Sequence, residues 1–398
     1  MLDNFKKFQA QTTNHPLGIE VIKAEGSYIY DRKKKYLDLV AGVSVQNLGH
    51  CNSELNKSIV NQLKKYSHVM VYGEFIQKPS LKLCKLLNKI LPKNLNSTYL
   101  TNSGTEAIEA ALKLAKRATG RSRIISALNS YHGSTHGSMS VSGFEQRKRA
   151  YRPLLPNIDF IKFNCESDIS QINQSTSCVI LETIQGGAGF IEPKHNFLKK
   201  ISKKCKEVGA LLILDELQTG LGRTGKMFAF EHYEISPDIL VLGKSLGGGF
   251  PIGAMISDRS LMNKLKSKPI LGHITTFGGH PVISQAGLTT LKIILRDKLF
   301  EKAKISEQKF KQRLKHPAIV EIRGKGLMLA LILKSNELAK KLVIKSLEKG
   351  LILFWLLYES RAVRITPPLN ITDKEIKIST DIILKTLDEL YNQMLINI

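Results

Sequence analysis

The chain has 398 residues and a formal net charge of +25, with 59 lysines and arginines against 34 aspartates and glutamates. With 42% hydrophobic and 23% charged residues, it has the composition of a folded globular protein, which excludes a disordered chain. The longest apolar run, 351–357, is too short to cross a bilayer, and the first residues lack the apolar core of an export signal. The five scattered cysteines suit reduced thiols, so we expect a cytoplasmic protein with no membrane partner.

The positive charge raises the question of nucleic-acid binding, because lysines neutralise phosphates. The lysines are spread through predicted helices, as at 82–89 and 198–207, without interleaved aromatic residues. This distribution favours a compositional bias over a binding function, and we expect no nucleic-acid partner. Small anionic substrates would still be steered toward such a surface.

In chain order, the first predicted element is a hairpin at 27–39 with its turn at 31–35. Strands and helices then alternate from about 41 to 290, and strands are predicted at 98–101, 124–127, 158–163, 178–182, 211–215 and 239–243. This alternation is typical of an α/β fold with a mostly parallel sheet.

The order of predicted strands and helices changes after the alternating region. It is predicted to be helical over 288–305, to return to strands at 321–333 and 362–366, and to end in an amphipathic helix from Thr372. We therefore expect an N-terminal segment (1–40) that packs with the small domain, a large domain (41–290) and a small C-terminal domain (291–398).

Two of the predicted strands end in residues that suit one cofactor. Lys244 follows the strand at 239–243, and Asp215 ends the strand at 211–215. Ligands of open α/β sheets lie beyond the carboxyl ends of the strands. Pyridoxal phosphate requires an amine that forms a Schiff base and an anion that keeps the pyridine nitrogen protonated. Taken singly, such a lysine is usually a solvated loop residue and such an aspartate a cap or turn residue.

A third segment, 97–120, is predicted to form a strand, a turn at 101–105 and a helix. The turn is rich in glycine, serine and threonine, and apolar residues then recur at helical spacing from Ile108. Free N–H groups and hydroxyls at such a helix start bind phosphate. An ordinary capped helix would explain the same pattern equally well.

Seven segments together resemble the class-III pyridoxal-phosphate aminotransferases in their order and spacing. They are SGTEAIEAALKLA, YHGSTHGSMS, ETIQGGAGF, LDELQTGLGRTG, GKSLGGGFPIGA, TTFGGHP and VRITPPLNIT. The resemblance covers essentially the whole chain and is greatest to the acetylornithine and succinyl-diaminopimelate aminotransferases. It implies a fold-type-I transferase, with a large, mixed, mostly parallel seven-stranded sheet domain, a smaller C-terminal α+β domain, and a homodimer with shared active sites.

The resemblance also implies a set of cofactor-binding residues: Ser103, Gly104, Thr105, Tyr131, Asp215, Gln218, Lys244 and, from the second subunit of a dimer, Thr276. Lys244 would attach the cofactor and move the substrate proton, and Asp215 would pair with the pyridine nitrogen. We expect a structural role for His132, since Lys244 already supplies the base.

The expected substrate-binding residues are Ser134, Thr275 and Arg364. Arg364 resembles the family's carboxylate clamp, because a guanidinium offers two parallel hydrogen bonds to a carboxylate. Considered alone, it would be interpreted as a surface arginine. The related acetylornithine and ornithine enzymes usually carry an arginine where this chain has Ser134.

Three further positions bear on the resemblance. The same relatives usually carry a glutamate at the place of Gly187, and that glutamate pairs with the arginine equivalent to Arg364. Glu182 is retained without a side-chain role that the sequence reveals, and His280 replaces the usual asparagine.

Three functional hypotheses follow from the sequence. The favoured one is transamination between an N-acylated diamino acid and 2-oxoglutarate through Lys244, in arginine or lysine biosynthesis. Another class-III ω-amino acid transaminase, acting on ornithine, 4-aminobutyrate or a similar donor, is the alternative favoured by Ser134 and Gly187. A non-enzymatic basic binding protein is the third, and the retained Lys244 and Asp215 argue against it. We expect no metal site.

Overall fold

A computed structural model describes the backbone of residues 1–396 and the side chains of residues 1–391. Its helices α1 to α12 are Leu2–Phe8, Ala41–Ser44, Ser53–Leu63, Lys78–Ile90, Gly104–Thr119, His136–Ser140, Phe197–Val208, Arg259–Met262, Pro281–Arg296, Leu299–Arg313, Asn336–Glu348 and Asp373–Ile396. Short 3-10 helices are Glu145–Arg147, Arg149–Tyr151, Ser167–Gln171, Ala229–Tyr233, Lys244–Gly247 and Asn263–Leu265. No helix in the described part of the chain is long and apolar enough to span a bilayer.

The strands form three sheets. Strands β1 to β15 are Lys23–Glu25, Tyr28–Tyr30, Lys35–Asp38, Ser97–Thr101, Arg123–Ala127, Ile158–Ile161, Thr176–Glu182, Leu211–Asp215, Ile239–Gly243, Gly253–Ser257, Ile319–Lys325, Met328–Leu333, Leu351–Ile352, Phe354–Trp355 and Ala362–Ile365. The central sheet has seven strands in the order β4-β10-β9-β8-β7-β5-β6, and β10 alone runs antiparallel to its neighbours.

This sheet confirms the α/β prediction and its six strands, with small differences at their ends. The seventh strand, β10, was not predicted. Its neighbour β9, Ile239–Gly243, is a continuous, fully buried apolar run, as expected where both faces of a sheet are covered. In β8, Ile213 packs on the side of α5, whereas Leu212 and Leu214 face the opposite core cluster.

The two smaller sheets are formed by strands that precede or follow the central sheet in the chain. The predicted N-terminal hairpin is formed by β2 and β3, and β3 pairs in parallel with β13, so Leu37 lies opposite Leu351. The other small sheet, β11-β12-β15-β14, carries Arg364 in β15. The predicted helical stretch 288–305 is two helices, α9 and α10, separated at Lys298, whose φ of 49° is left-handed.

Helix α2 is a left-handed turn rather than a right-handed helix. Ala41, Gly42, Val43 and Ser44 have φ values of 49°, 60°, 62° and 64°. A left-handed conformation costs a residue with a Cβ atom roughly 1–2 kcal/mol, and branched Val43 is an unfavourable residue for it. The turn is held by Val45, whose N–H donates to the Ala41 carbonyl at 2.8 Å.

Candidate active site

A cavity of about 340 Å³ lies at the carboxyl ends of β7, β8 and β9. Parallel strands deliver their last residues to the same edge of a sheet, and ligands of such folds bind there. The cavity brings together most of the predicted site residues: Gly104, Thr105, Tyr131, Ser134, Asp215, Gln218, Lys244 and Arg364. Glu182 and Gly187 also line it.

Lys244 enters the cavity directly after β9, where the chain turns into a 3-10 helix. Its φ of 43° is left-handed, which is unusual for a lysine. Burial lowers the pKa of Lys244, against the opposing attraction of Asp215 and Glu182, while Arg364 lowers it further. A lowered pKa increases the fraction of neutral amine, which is the nucleophilic form.

Asp215, the last residue of β8, is fixed by two hydrogen bonds. Nδ1 of His132 donates to Asp215 Oδ2 at 2.8 Å, and the Leu217 N–H donates to Oδ1 at 3.0 Å. The two side chains are buried, with His132 1% and Asp215 4% exposed. His132 therefore orients the carboxylate, and its Nε2 has no protein partner among the described residues. His132 and Asp215 are 83 positions apart in the chain, and no local pattern in the sequence indicates their contact.

Glu182 ends β7 and bridges two loops of the cavity wall. Its carboxylate accepts hydrogen bonds from the Gly186 N–H at 2.9 Å and the Tyr131 N–H at 3.2 Å. Burial raises the pKa of Glu182 to about 7, although nearby His132 and the two N–H donors oppose the shift. The carboxylate thus holds in place the loop that carries Tyr131, a contact that the sequence did not reveal.

The start of α5 forms the opposite end of the cavity. Ser103 caps the helix by accepting from the Glu106 N–H at 3.3 Å, and it does not line the cavity itself. Thr105 Oγ1 lies 2.6 Å from Ser138 Oγ and 2.8 Å from Thr135 Oγ1. A Cβ at Gly104 would lie 2.5 Å from a Leu217 methyl carbon, so any larger residue there would require the Leu217 side chain to move. Backbone N–H groups and hydroxyls here match a phosphate site.

Arg364 reaches the cavity from the small sheet. Its Nε donates to the Trp355 carbonyl at 3.1 Å, and its Nη1 has no partner among the described residues. The residue is only 5% exposed, and burial lowers the pKa of Arg364 to about 10. A buried guanidinium with an unpaired N–H is poised to bind an anion, because a buried charge is costly unless it is paired.

Gly187 leaves a space that Tyr358 fills. A Cβ at Gly187 would lie 2.9 Å from Tyr358 Cε2, and the Tyr358 N–H donates to the Gly187 carbonyl at 2.9 Å. An aromatic ring thus stands beside the position at which related enzymes usually carry glutamate. Ser134 Oγ lies 3.2 Å from the Tyr131 hydroxyl, so serine and phenol occupy that part of the wall.

Two of the predicted residues lie elsewhere within the chain. Thr275 accepts from the Gly278 N–H at 2.8 Å and borders a second cavity, of about 660 Å³. Thr276 is exposed on the same loop and does not line the first cavity. His280 caps α9 and stacks on His68, with ring centroids 5.1 Å apart.

An amine, an oriented carboxylate and a helix start surround one cavity, and they match the aldehyde, the ring nitrogen and the phosphate of pyridoxal phosphate. A mixed seven-stranded sheet that carries these groups at its carboxyl edge defines the class of pyridoxal-phosphate-dependent transferases.

Comparison with known proteins identifies the family. The Aminotransferase class-III family matches residues 8–387, and the chain belongs to it. The chain is 36% identical over 386 residues to the acetylornithine aminotransferase of Archaeoglobus fulgidus, across 96% of this chain and 99% of that protein. It is 37% identical to the putrescine aminotransferase of Pectobacterium atrosepticum, across 92% and 81% of the two chains.

The fold agrees with solved structures of the same kind. The crystal structure of ornithine aminotransferase from Toxoplasma gondii ME49 superposes with a TM-score of 0.91 at 28% identity, over 98% of this chain and 95% of that chain. The enzyme is therefore a pyridoxal-phosphate-dependent aminotransferase of fold type I.

Proposed function

We propose that this enzyme transfers the amino group of an N-acylated diamino acid to 2-oxoglutarate, as a step in arginine or lysine biosynthesis. The observation that carries the proposal is the unpaired Nη1 of buried Arg364 in the cavity that holds Lys244. A guanidinium placed there fixes a substrate carboxylate and so orients the amino group for reaction. The similarity to acetylornithine aminotransferase over nearly the full length of both chains supports this donor class.

Within this proposal, each residue has a defined task. Pyridoxal phosphate, when bound, supplies an aldehyde for the amino group and a ring that withdraws electrons. With the cofactor bound, the Lys244 amine would attach it and would then move the proton at the substrate carbon, and Asp215 would hold a proton on the ring nitrogen. Gln218 would hold the ring hydroxyl, and Tyr131 would pack on the ring. Ser103, Gly104 and Thr105 would hold the phosphate.

A second donor class is favoured by a specific observation. Ser134 and Gly187 stand where the related acetylornithine enzymes usually carry charged side chains, so the wall around Arg364 has fewer charges. A substrate such as ornithine or another ω-amino compound would meet the same catalytic groups. The similarity to putrescine and ornithine aminotransferases agrees with this alternative.

We further propose a cytoplasmic homodimer in which Thr276 and Thr275 act at the partner's site. Exposed apolar side chains surround the loop that carries them, and we name Phe75, Ile76, Ile270 and Phe277 the apolar patch. Ile76 is 89% and Ile270 76% exposed in the single chain. Phe75, Ile76 and Ile270 border the same cavity as Thr275, and clustered exposed apolar side chains of this kind mark an interaction site.

The test is a panel of amino donors given to the purified holoenzyme with 2-oxoglutarate as acceptor. We expect N-acetylornithine or N-succinyl-diaminopimelate to convert the cofactor to its aminated form faster than ornithine, 4-aminobutyrate or putrescine. Lys244→Ala should bind the cofactor without covalent attachment and lose turnover by several orders of magnitude. A faster reaction with ornithine or putrescine would reject the N-acylated donor, and borohydride labelling of another lysine would reject the role of Lys244.

A further inference from the structure

The cavity wall lacks the second fixed cation that dicarboxylic substrates require. The described lining of the cavity contains one lysine, Lys244, and one arginine, Arg364. Under the proposed function, Lys244 takes part in the reaction and is not available to hold a carboxylate. A 2-oxo dicarboxylic acid has two carboxylates, and the guanidinium of Arg364 can pair with one of them. The other carboxylate needs a separate donor, because an ion that loses its hydration without a partner binds weakly.

Tyr358 forms an aromatic platform beside the cavity. One edge of its ring lies against Gly187, a residue of the cavity wall, and Tyr358 itself stands just outside the lining. Phe144 stacks on the ring with centroids 4.4 Å apart and planes inclined by 20°. The stack fixes the ring between the loop at 143–147 and the segment after β14.

Arg147 extends over this platform. The central carbon of its guanidinium lies 5.8 Å from the centroid of the Tyr358 ring, at the distance of a cation–π contact. Glu145, the acidic residue of the same 3-10 helix, is already paired with Arg152 at 2.8 Å. Within residues 1–391, the Arg147 side chain makes no ion pair or hydrogen bond, and it is exposed. Its N–H groups are therefore open to a ligand.

We propose that Arg147, positioned by the Tyr358 ring, binds the distal carboxylate of a dicarboxylic substrate while Arg364 binds the other. This inference rests on the proposed transamination with a 2-oxo dicarboxylic acid. The aromatic ring restricts the long arginine side chain, so less conformational entropy is lost when the carboxylate binds. In this chain, Gly187 leaves space for Tyr358, and the Tyr358 ring positions Arg147. Arg147 then takes the task of the arginine that related enzymes usually have at the position of Ser134.

The test compares two amino acceptors that differ only in the distal group, 2-oxoglutarate and 2-oxopentanoate. Arg147→Ala in the holoenzyme should raise the KM for 2-oxoglutarate roughly 10-fold, the size expected for one charge-assisted contact, and leave the KM for 2-oxopentanoate unchanged. Arg149→Ala removes the same charge two residues further along the loop and should affect neither acceptor. Arg147→Lys should restore part of the affinity, and Tyr358→Leu should weaken 2-oxoglutarate as Arg147→Ala does.

Binding of glutarate, measured by calorimetry on the same variants, separates this inference from the proposed function. A wild type without transaminase activity would reject the proposed function, whereas weaker glutarate binding by Arg147→Ala alone would still support the carboxylate site. Equal losses of glutarate affinity in Arg147→Ala and Arg149→Ala would overturn the inference. They would show that the overall positive charge of the surface, rather than a specific contact, attracts the carboxylate. Unchanged binding of 2-oxoglutarate and glutarate in Arg147→Ala would also overturn it.

Discussion

His132 shows how a single buried side chain can orient a carboxylate in the cavity wall. It is almost fully buried and donates to Asp215, and among the described residues the Asp215 carboxylate has one other hydrogen bond, from the Leu217 N–H. Removal of one partner from a buried polar pair leaves the other with its full desolvation cost. The geometry of the Asp215 carboxylate in the cavity therefore depends on this imidazole.

We predict that His132→Leu weakens cofactor binding about 10-fold or more, the loss expected when a buried, charge-assisted hydrogen bond disappears. His132→Asn can still donate to Asp215 and should retain most of the affinity. Equilibrium dialysis of pyridoxal phosphate against both variants measures the effect. Equal affinities for the leucine variant and the wild type would contradict an orienting role.

Among the connecting elements, the segment after β8 carries a buried carboxylate that responds to pH. Glu216 accepts hydrogen bonds from the N–H groups of Ala229 at 2.8 Å and Phe230 at 2.6 Å, and from the Thr183 hydroxyl at 2.9 Å. Burial raises the pKa of Glu216 to about 7, against the opposing effect of these donors. The carboxyl group thus joins the end of β7 to the 3-10 helix at Ala229–Tyr233.

Because the pKa of Glu216 is raised on folding, its protonated form is favoured in the folded state. The associated stability is fully present below the unfolded pKa, near 4.5, and is lost as the pH rises through about 7. We predict that Glu216→Gln flattens the fall in unfolding temperature between pH 5 and pH 8, whatever its effect on absolute stability. Glu337→Gln, at an exposed carboxylate, is the control. An unchanged pH dependence in Glu216→Gln would exclude this contribution.

Local patterns in the sequence predicted the strands 211–215 and 239–243 because each is a short apolar run that ends in a polar residue or glycine. The strands 211–215 and 239–243 were correct to the residue, so Asp215 and Lys244 were correctly placed at strand ends. Strand β10 was missed because Gly253–Ser257 follows a glycine-rich turn and offers only two large apolar residues, Met255 and Ile256. The assigned roles of the site residues and the domain limits at 40 and 290 stay predictions.

Contacts between distant segments could not be predicted in this way. The pairing of His132 with Asp215, the packing of Tyr358 on Gly187 and the position of Arg147 each join residues that are far apart in the chain. Absence of a side chain at Gly187 was visible in the sequence, but the ring that fills the space was not. Only the folded chain relates such positions, because the hydrophobic periods that reveal strands and helices carry no information on tertiary neighbours.

At the scale of the whole molecule, the apolar patch and the exposed Thr276 loop lead to a test of shared sites. Each proposed site takes Lys244 from one subunit and Thr276 from the other. A mixed dimer of one Lys244→Ala subunit and one Thr276→Ala subunit should therefore contain one site with both native residues. We predict that unfolding and refolding the two variants together restores up to about a quarter of wild-type activity, from random pairing in a dimer with two sites. Each variant refolded alone is the control.

Ile76→Asp should convert the enzyme to a monomer in analytical ultracentrifugation, because a charge in the apolar patch would be buried without a partner. Val320→Asp, at an exposed apolar position on β11 outside the patch, should leave the assembly unchanged. Failure of the mixed variants to regain activity, together with an active Ile76→Asp monomer, would contradict a site shared between subunits.

The left-handed turn at Ala41–Ser44 places an unfavourable backbone conformation at the rim of the cavity, where Val43 contributes to the lining and Ser44 accepts from Gln218 at 3.2 Å. We expect substitutions that relax this turn to increase thermal stability and to loosen this part of the cavity wall. Selection for robustness and selection for catalytic precision therefore act in opposite directions on these four positions. If the enzyme were evolved in the laboratory only for heat resistance, we expect substitutions to appear at these positions first. The enzyme should then discriminate less among amino donors.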